Sequence, residues 1–164
     1  MEMQELIDEH QIRKVIYRYC RGIDRRDFDL VRGCYHPGAT DDHANYKGDV
    51  DGFIAYVQKE LPRFEQTMHT VANVLIEVDG DVAWSEAYTL AYHRLPASRS
   101  KPQRDYSVGL RYVDRFERRD GRWAIADRKC VFSWSRLDPV PEGHPFGPAY
   151  PMGAAAPADP AYRR

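Results

Sequence analysis

The stretch 17-YRYCRGIDRRD-27 closes a run in which Leu6, Ile12, Val15, Ile16, Tyr19 and Ile23 repeat with the i, i+3, i+4, i+7 spacing of a helix that buries one stripe. Gly22 stands where a left-handed backbone would end that helix, so Asp24 falls in the corner between it and the next element. A carboxylate there has two possible settings. It can face water and pair with Arg21, Arg25 or Arg26, which describes a plain domain. It can also point inward, where a buried charge demands a partner. Tyr19, on the buried stripe, likewise carries a hydroxyl that must find a backbone carbonyl or a ligand.

Working outward, Asp27 suits the N-cap of a second short helix, FDLVRGCYH, which Pro37 and Gly38 stop. The segment DVDGFIAYVQKEL reads as a third helix, because Phe53, Ile54, Val57 and Leu61 share a face and Pro62 ends it. After residue 68 the texture becomes that of strands. HTVANVLIEV and VAWSEAYTLAYHRL flank Asp79-Gly80, and SVGLRYVDRFERR and RWAIADRKCVFSW flank Asp120-Gly121, each an Asp-Gly hairpin signal. The fold class is therefore α+β: a curved, cone-shaped antiparallel sheet with three N-terminal helices packed on its concave face. Residues 1–138 form this domain. Residues 139–164, rich in proline, can neither extend the sheet nor form a long helix. Either they are solvated, or Phe146, Tyr150 and Tyr162 pack them on the domain or on a neighbouring subunit.

The whole chain limits the function classes. It has 164 residues, one domain's worth, and a formal net charge of -1, so no global field favours nucleic acid or an anionic membrane. The basic segments RLPASRSKPQR and FERRDGR lack interleaved aromatics and read as solvated hairpin tips. Cys20, Cys34 and Cys130 are odd in number and show no C-x-x-C spacing, which argues against a disulfide framework and a zinc knuckle and for a reducing cytoplasm. No apolar run approaches a membrane span, and no dinucleotide, phosphate-loop or serine-hydrolase motif occurs. A small, largely apolar molecule or another protein is the expected partner.

His69 opens the first long strand and shares a sheet face with Val71, Asn73 and Leu75. A histidine there can be a satisfied core group. It becomes a base when a buried carboxylate such as Asp24 fixes its other nitrogen. Asp41 and His43, two apart, could aim at one ion, but no further ligand cluster completes a metal site; His43 at a pocket lip or in a surface turn are the alternatives. His93 beside Arg94 is expected to be exposed, and His10, His36 and His144 lie on a polar helix face, at a helix end and in the Pro-rich tail. Tyr56, Trp84, Tyr88, Tyr92, Phe132 and Trp134 are plain core or line the cone, where they would suit a flat or cyclic ligand. Tyr56, Trp84, Tyr88, Phe132 and Trp134, with His43, form the predicted substrate wall.

IRKVIYRYCRGIDRRDFDLV, MHTVANVLIEVDGD and GLRYVDRFERRDGRWAIADR together resemble the SnoaL-like branch of the nuclear transport factor 2-like superfamily, over about residues 5–138. The resemblance implies a cone-shaped α+β barrel, commonly a homodimer or homotrimer. Three lyases of the superfamily are similar in pattern: scytalone dehydratase, bile-acid 7α-dehydratase and hexachlorocyclohexane dehydrochlorinase. Each pairs an aspartate near the end of the first helix with a histidine opening a strand, which places a catalytic pair at Asp24 and His69. A tyrosine five residues before the aspartate, as in the bile-acid enzyme, places Tyr19 beside them. That enzyme's further aspartate and late arginine fall near Ala91 and Phe132, so its substrate does not carry over. The resemblance thus implies a cofactor-independent dehydratase or isomerase for a small cyclic substrate. Ring-hydroxylating dioxygenase small subunits share the fold without catalysis and give the competing reading. An Arg-x-Asp epoxide hydrolase ranks last, since Arg118 and Asp120 fall at a hairpin turn.

Overall fold

The computed structural model describes residues 3–140, 146–147 and 149–163. Helix α1 spans Met3–Arg25, α2 Phe28–Arg32 and α3 Val50–Glu60, followed by a short 3-10 turn over Leu61–Arg63. Strands β1 (Tyr35–Asp42), β2 (Lys47–Asp49), β3 (Gln66–Asp79), β4 (Val82–Leu95), β5 (Arg104–Arg119) and β6 (Arg122–Pro139) form one sheet in the order β2-β1-β6-β5-β4-β3. The fold is α+β with a six-stranded curved, open sheet. It is not wholly antiparallel, because β1 adds parallel to β6. The second helix stops early at Arg32 and Tyr35 is already strand; His36, placed at a helix end by the sequence, is a buried strand residue.

Gly22 does not end α1. The helix runs on to Arg25, and Arg26 takes the positive φ of 52° that turns the chain. Gly22 is needed for a different reason: a Cβ there would lie 2.7 Å from the Val31 side chain, so only glycine lets α2 pack this closely on α1. Asp27 caps α2 by accepting from the Leu30 N–H at 3.0 Å. Asp49 caps α3 through the Gly52 N–H at 2.8 Å. Asp120 and Gly121 have φ of 51° and 74°, the two left-handed residues that a tight hairpin with the sheet's twist requires.

The inner face of β4 carries Ala83, Ser85, Ala87, Thr89 and Ala91. These small residues give α1, whose buried stripe runs through Ile12, Val15, Ile16, Tyr19 and Ile23, room to lie against the sheet. The alternate residues of β4, Trp84, Tyr88 and Leu90, are exposed on the outer face, as are Val113 and Trp134. Trp134 covers Gly109, where a Cβ would meet its ring at 2.2 Å. In the C-terminal segment, Asp159 pairs with Arg25 at 2.9 Å, the Tyr162 hydroxyl donates to Asp27 at 2.8 Å and the Ala156 N–H donates to the Arg25 carbonyl at 2.7 Å. His144 lies outside the described residues.

Candidate functional site

The last turn of α1 and the start of β3 meet at the β3 edge of the sheet. There the His69 Nδ1 lies 2.7 Å from Asp24 Oδ1, and the His69 backbone N–H donates to Asp24 Oδ2 at 2.9 Å. Both side chains are about nine-tenths buried, at 8% and 10% exposure. The neighbouring arginines are engaged elsewhere: Arg25 with Asp159, Arg26 with the Phe64 carbonyl, Arg21 with the Ala161 carbonyl. Burial alone would raise the Asp24 carboxyl. Hydrogen bonds from the His69 side chain, its charge and its backbone, with Thr67 assisting, outweigh burial and hold Asp24 below the ordinary carboxylate value. An ionised carboxylate only accepts, so Nδ1 carries the proton, and in the neutral tautomer that this fixes, the lone pair lies on Nε2.

His69 also lines a partly open cavity of about 410 Å³ bordered by α1, α3 and strands β3 to β6, within the range of small-molecule sites. Tyr19, His43, Tyr56 and Phe132 of the predicted set line it, with Asp24 behind His69. Trp84, Tyr88 and Trp134 do not. Strand alternation sends the first two to the outer face opposite Arg115 and Arg111. A bulge at Ser133 pairs Phe132 with the inward Leu110 but Trp134 with the outward Gly109, although the two share a sequence parity.

His43 lies just past β1 and stacks on Phe53 at 5.0 Å. Its Nδ1 is 2.9 Å from Asp41 Oδ1, while Asp41 Oδ2 accepts from the Tyr35 hydroxyl at 2.6 Å. The cavity is therefore served by two histidine–carboxylate pairs. Cys130 Sγ packs 3.2 Å from the same His43 nitrogen; burial pushes that thiol well up and keeps it protonated. Among the described residues, no group of three His, Cys, Asp or Glu side chains could hold a metal.

Below the cavity, Arg128 and Asp114 form a fully buried pair with two hydrogen bonds of 2.7 and 2.6 Å. The Arg128 guanidinium is held between the Tyr19 and Tyr112 rings, 4.0 and 4.1 Å from their centroids. Burial raises the Tyr19 phenol well above its ordinary value and Arg128 only partly offsets this, so Tyr19 is a hydrogen-bond donor and not a base.

His93 is not an exposed strand end. It lines the cavity with its ring perpendicular to His69 at 5.6 Å and against Phe64 at 4.7 Å. Burial, helped by nearby His69, lowers it from 6.5 to about 4, so it is neutral. Parity could have found it, since it continues the Ala87, Thr89, Ala91 series. Asp41 was visible beside His43 as a metal candidate, whereas its partnership with that ring was not. Nothing in the sequence marks Arg128 as the one arginine among the described residues that sits at 0% exposure.

Helices packed on a curved, open six-stranded sheet, with a histidine–aspartate pair where α1 meets β3, define an α+β fold, and comparison with known proteins makes the lineage specific. The SnoaL-like domain profile matches residues 4–129, and the chain belongs to that family. An uncharacterized protein of Mycobacterium tuberculosis H37Rv is 27% identical over 137 residues, 79% of this chain and 90% of its own. A putative scytalone dehydratase from Novosphingobium aromaticivorans superposes with a TM-score of 0.73 at 19% identity, covering 89% of this chain and all of that one. A type 3 hexachlorocyclohexane dehydrochlorinase from Novosphingobium barchaimii gives 0.73 at 20% identity, covering 90% and 99%. At such identities these two structures establish the shared nuclear transport factor 2-like fold.

Proposed function

We propose that this protein is a lyase or isomerase of the dehydratase type, acting by general-base proton abstraction on a small, largely apolar cyclic substrate. The observation that carries the reading is the 2.7 Å contact of His69 with Asp24 at the wall of a partly open cavity. His69 Nε2 takes a proton from a carbon beside a carbonyl or a leaving group. Asp24, held ionised, stabilises the imidazolium that forms. The electron pair of the broken C–H bond moves into the adjacent carbonyl or expels the leaving oxygen or halide. Tyr19 donates to the oxygen that gains charge. His43, positioned by Asp41, faces the same space and supplies a second polar contact, while Tyr56 and Phe132 give walls suited to a flat ring. Homo-oligomerisation through the outer face of Trp84, Tyr88, Leu90, Val113 and Trp134 belongs to the same proposal, because so wide an apolar surface is commonly covered.

The test is hydrogen–deuterium exchange at the carbon next to the carbonyl in a panel of cyclic ketones and hydroxyketones, followed by proton NMR in D₂O. The wild type accelerates exchange or elimination for at least one ring class, and His69→Ala lowers that rate by ~10²- to 10⁴-fold while the fold, followed by circular dichroism, is kept. Ligands that bind tightly with no exchange, or exchange indifferent to His69→Ala, would show a binding protein instead.

A further inference from the structure

Outside the cone, the exposed face of α1 and the β5–β6 turn border an open groove of about 540 Å³. Lys14, Arg18 and Arg21 recur along α1 at helical spacing, and Arg122 approaches from β6 across the groove. Tyr17 and Trp123 complete its aromatic lining. Among the described residues that line it, none is a carboxylate.

This is unusual for a chain of net charge -1. Elsewhere the cations are mostly neutralised: Arg13 by Glu9, Arg94 by Asp105, Arg111 by Glu86, Arg118 by Asp8 and Asp81. The four groove cations have no carboxylate partner among the described residues. Two are nonetheless fixed by neutral groups. Arg122 donates to the Gly33 carbonyl at 3.0 Å. Arg21 donates to the Ala161 carbonyl at 3.2 Å and lies 4.9 Å over the Tyr162 ring. These contacts orient the guanidinium groups while leaving their charge available. Lys14 and Arg18, one turn apart, repel each other, and a helix surface selected for stability alone would place an acid between them.

We infer that this groove is a binding site for a small soluble ligand carrying a diphosphate or an equivalent polyanionic group, whose flat portion rests against the exposed Tyr17 ring. Guanidinium groups match phosphate oxygens in pairs. The concave shape, walled by helix on one side and hairpin turn on the other, suits a compact anion better than a flat charged surface. The inference is independent of the lyase reading, since none of the six residues belongs to the Asp24–His69 pair.

The experiment is calorimetric titration of the full chain with inorganic pyrophosphate, at low salt and at ~150 mM salt, where exposed charges are partly screened. One-to-one binding that weakens with salt is expected. Arg18→Glu and Arg122→Glu should each reduce the affinity about tenfold or more, and Lys59→Glu, an exposed cation on α3, should leave it unchanged. Arg18→Gln provides a milder version whose melting temperature stays at or above wild type, which separates lost binding from lost folding. Absence of binding at low salt, equal loss in Lys59→Glu, or Arg18-dependent capture by phosphatidylglycerol vesicles that pyrophosphate does not compete away would overturn the inference.

Discussion

Replacing Asp24 by Asn tests the site with a single change of charge and almost none of shape. Both carboxylate oxygens of Asp24 accept, Oδ1 from the His69 ring at 2.7 Å and Oδ2 from the His69 backbone N–H at 2.9 Å. A carboxamide has only one acceptor end. The backbone N–H cannot reverse its role, so the amide oxygen must face it and the NH₂ must face the ring. Nδ1 then becomes the acceptor, the ring proton moves to Nε2, and the cavity-facing nitrogen loses the lone pair that a base needs. A charge-assisted hydrogen bond is also lost, at ~1.5–3 kcal/mol, which for a chain of this size lowers the melting temperature by ~3–12 °C. The direct assay is nitrogen-15 NMR of the His69 ring, which distinguishes the two tautomers without any substrate. The pH dependence supplies a second reading. Asp24 is held below its reference value of 3.8, so its stabilisation is fully present above that value and is lost as the pH falls through the lower folded-state value. The stability gap between wild type and Asp24→Asn should be flat above pH ~5 and close below pH ~4. A variant that keeps Nε2 unprotonated, or a gap that does not close in acid, would refute the reasoning.

Two further outcomes follow from groups the sequence did not reveal. His93 is depressed from 6.5 to about 4, so between those values the unfolded chain binds a proton that the folded chain does not. Its contribution is present above pH ~6.5 and is lost as the pH falls, amounting to ~3 kcal/mol by pH ~4; denaturant titrations should show this slope in the wild type and a flatter one in His93→Phe. Arg128→Met leaves Asp114 at 0% exposure without a counter-charge and should cost ~3–5 kcal/mol, read as a fall in melting temperature of ~6–20 °C. Adding Asp114→Leu should recover most of that loss, and a single variant that melts like the wild type would contradict the assignment of a charged pair.

Much of the frame was legible because it rests on local rules. The apolar period of α1, the cap at Asp27 and the hairpin turn at Asp120-Gly121 each depend on residues within a few positions of one another. The pattern of the first helix and strand left Asp24 open between a surface ion pair and an inward partner, and the resemblance to the SnoaL-like family paired it with His69. The two, 45 positions apart in the chain, meet in the fold. Trp84, Tyr88 and Trp134 were misplaced for a physical reason. Aromatic residues were assigned to the cone as a group, whereas β4 alternates, turning alanine, serine and threonine to the buried face and sending Trp84 and Tyr88 outward. The bulge at Ser133 then reversed the side on which Trp134 emerges.

The sequence by itself determined the three helices, the two long hairpins and the residue types able to do acid–base chemistry, since helical period, strand alternation, capping and turn preferences act over short distances. It did not show β1 and β2, which lie between α2 and α3. Only the tertiary structure decided which charges are buried and which partners they meet. Desolvation and hydrogen bonding arise from atoms brought together across the sheet, and they set Asp24 low, His93 neutral and Tyr19 protonated. The same contacts neutralise most surface arginines and leave four cations around one groove without an acid, a contrast that the near-zero net charge of the chain conceals.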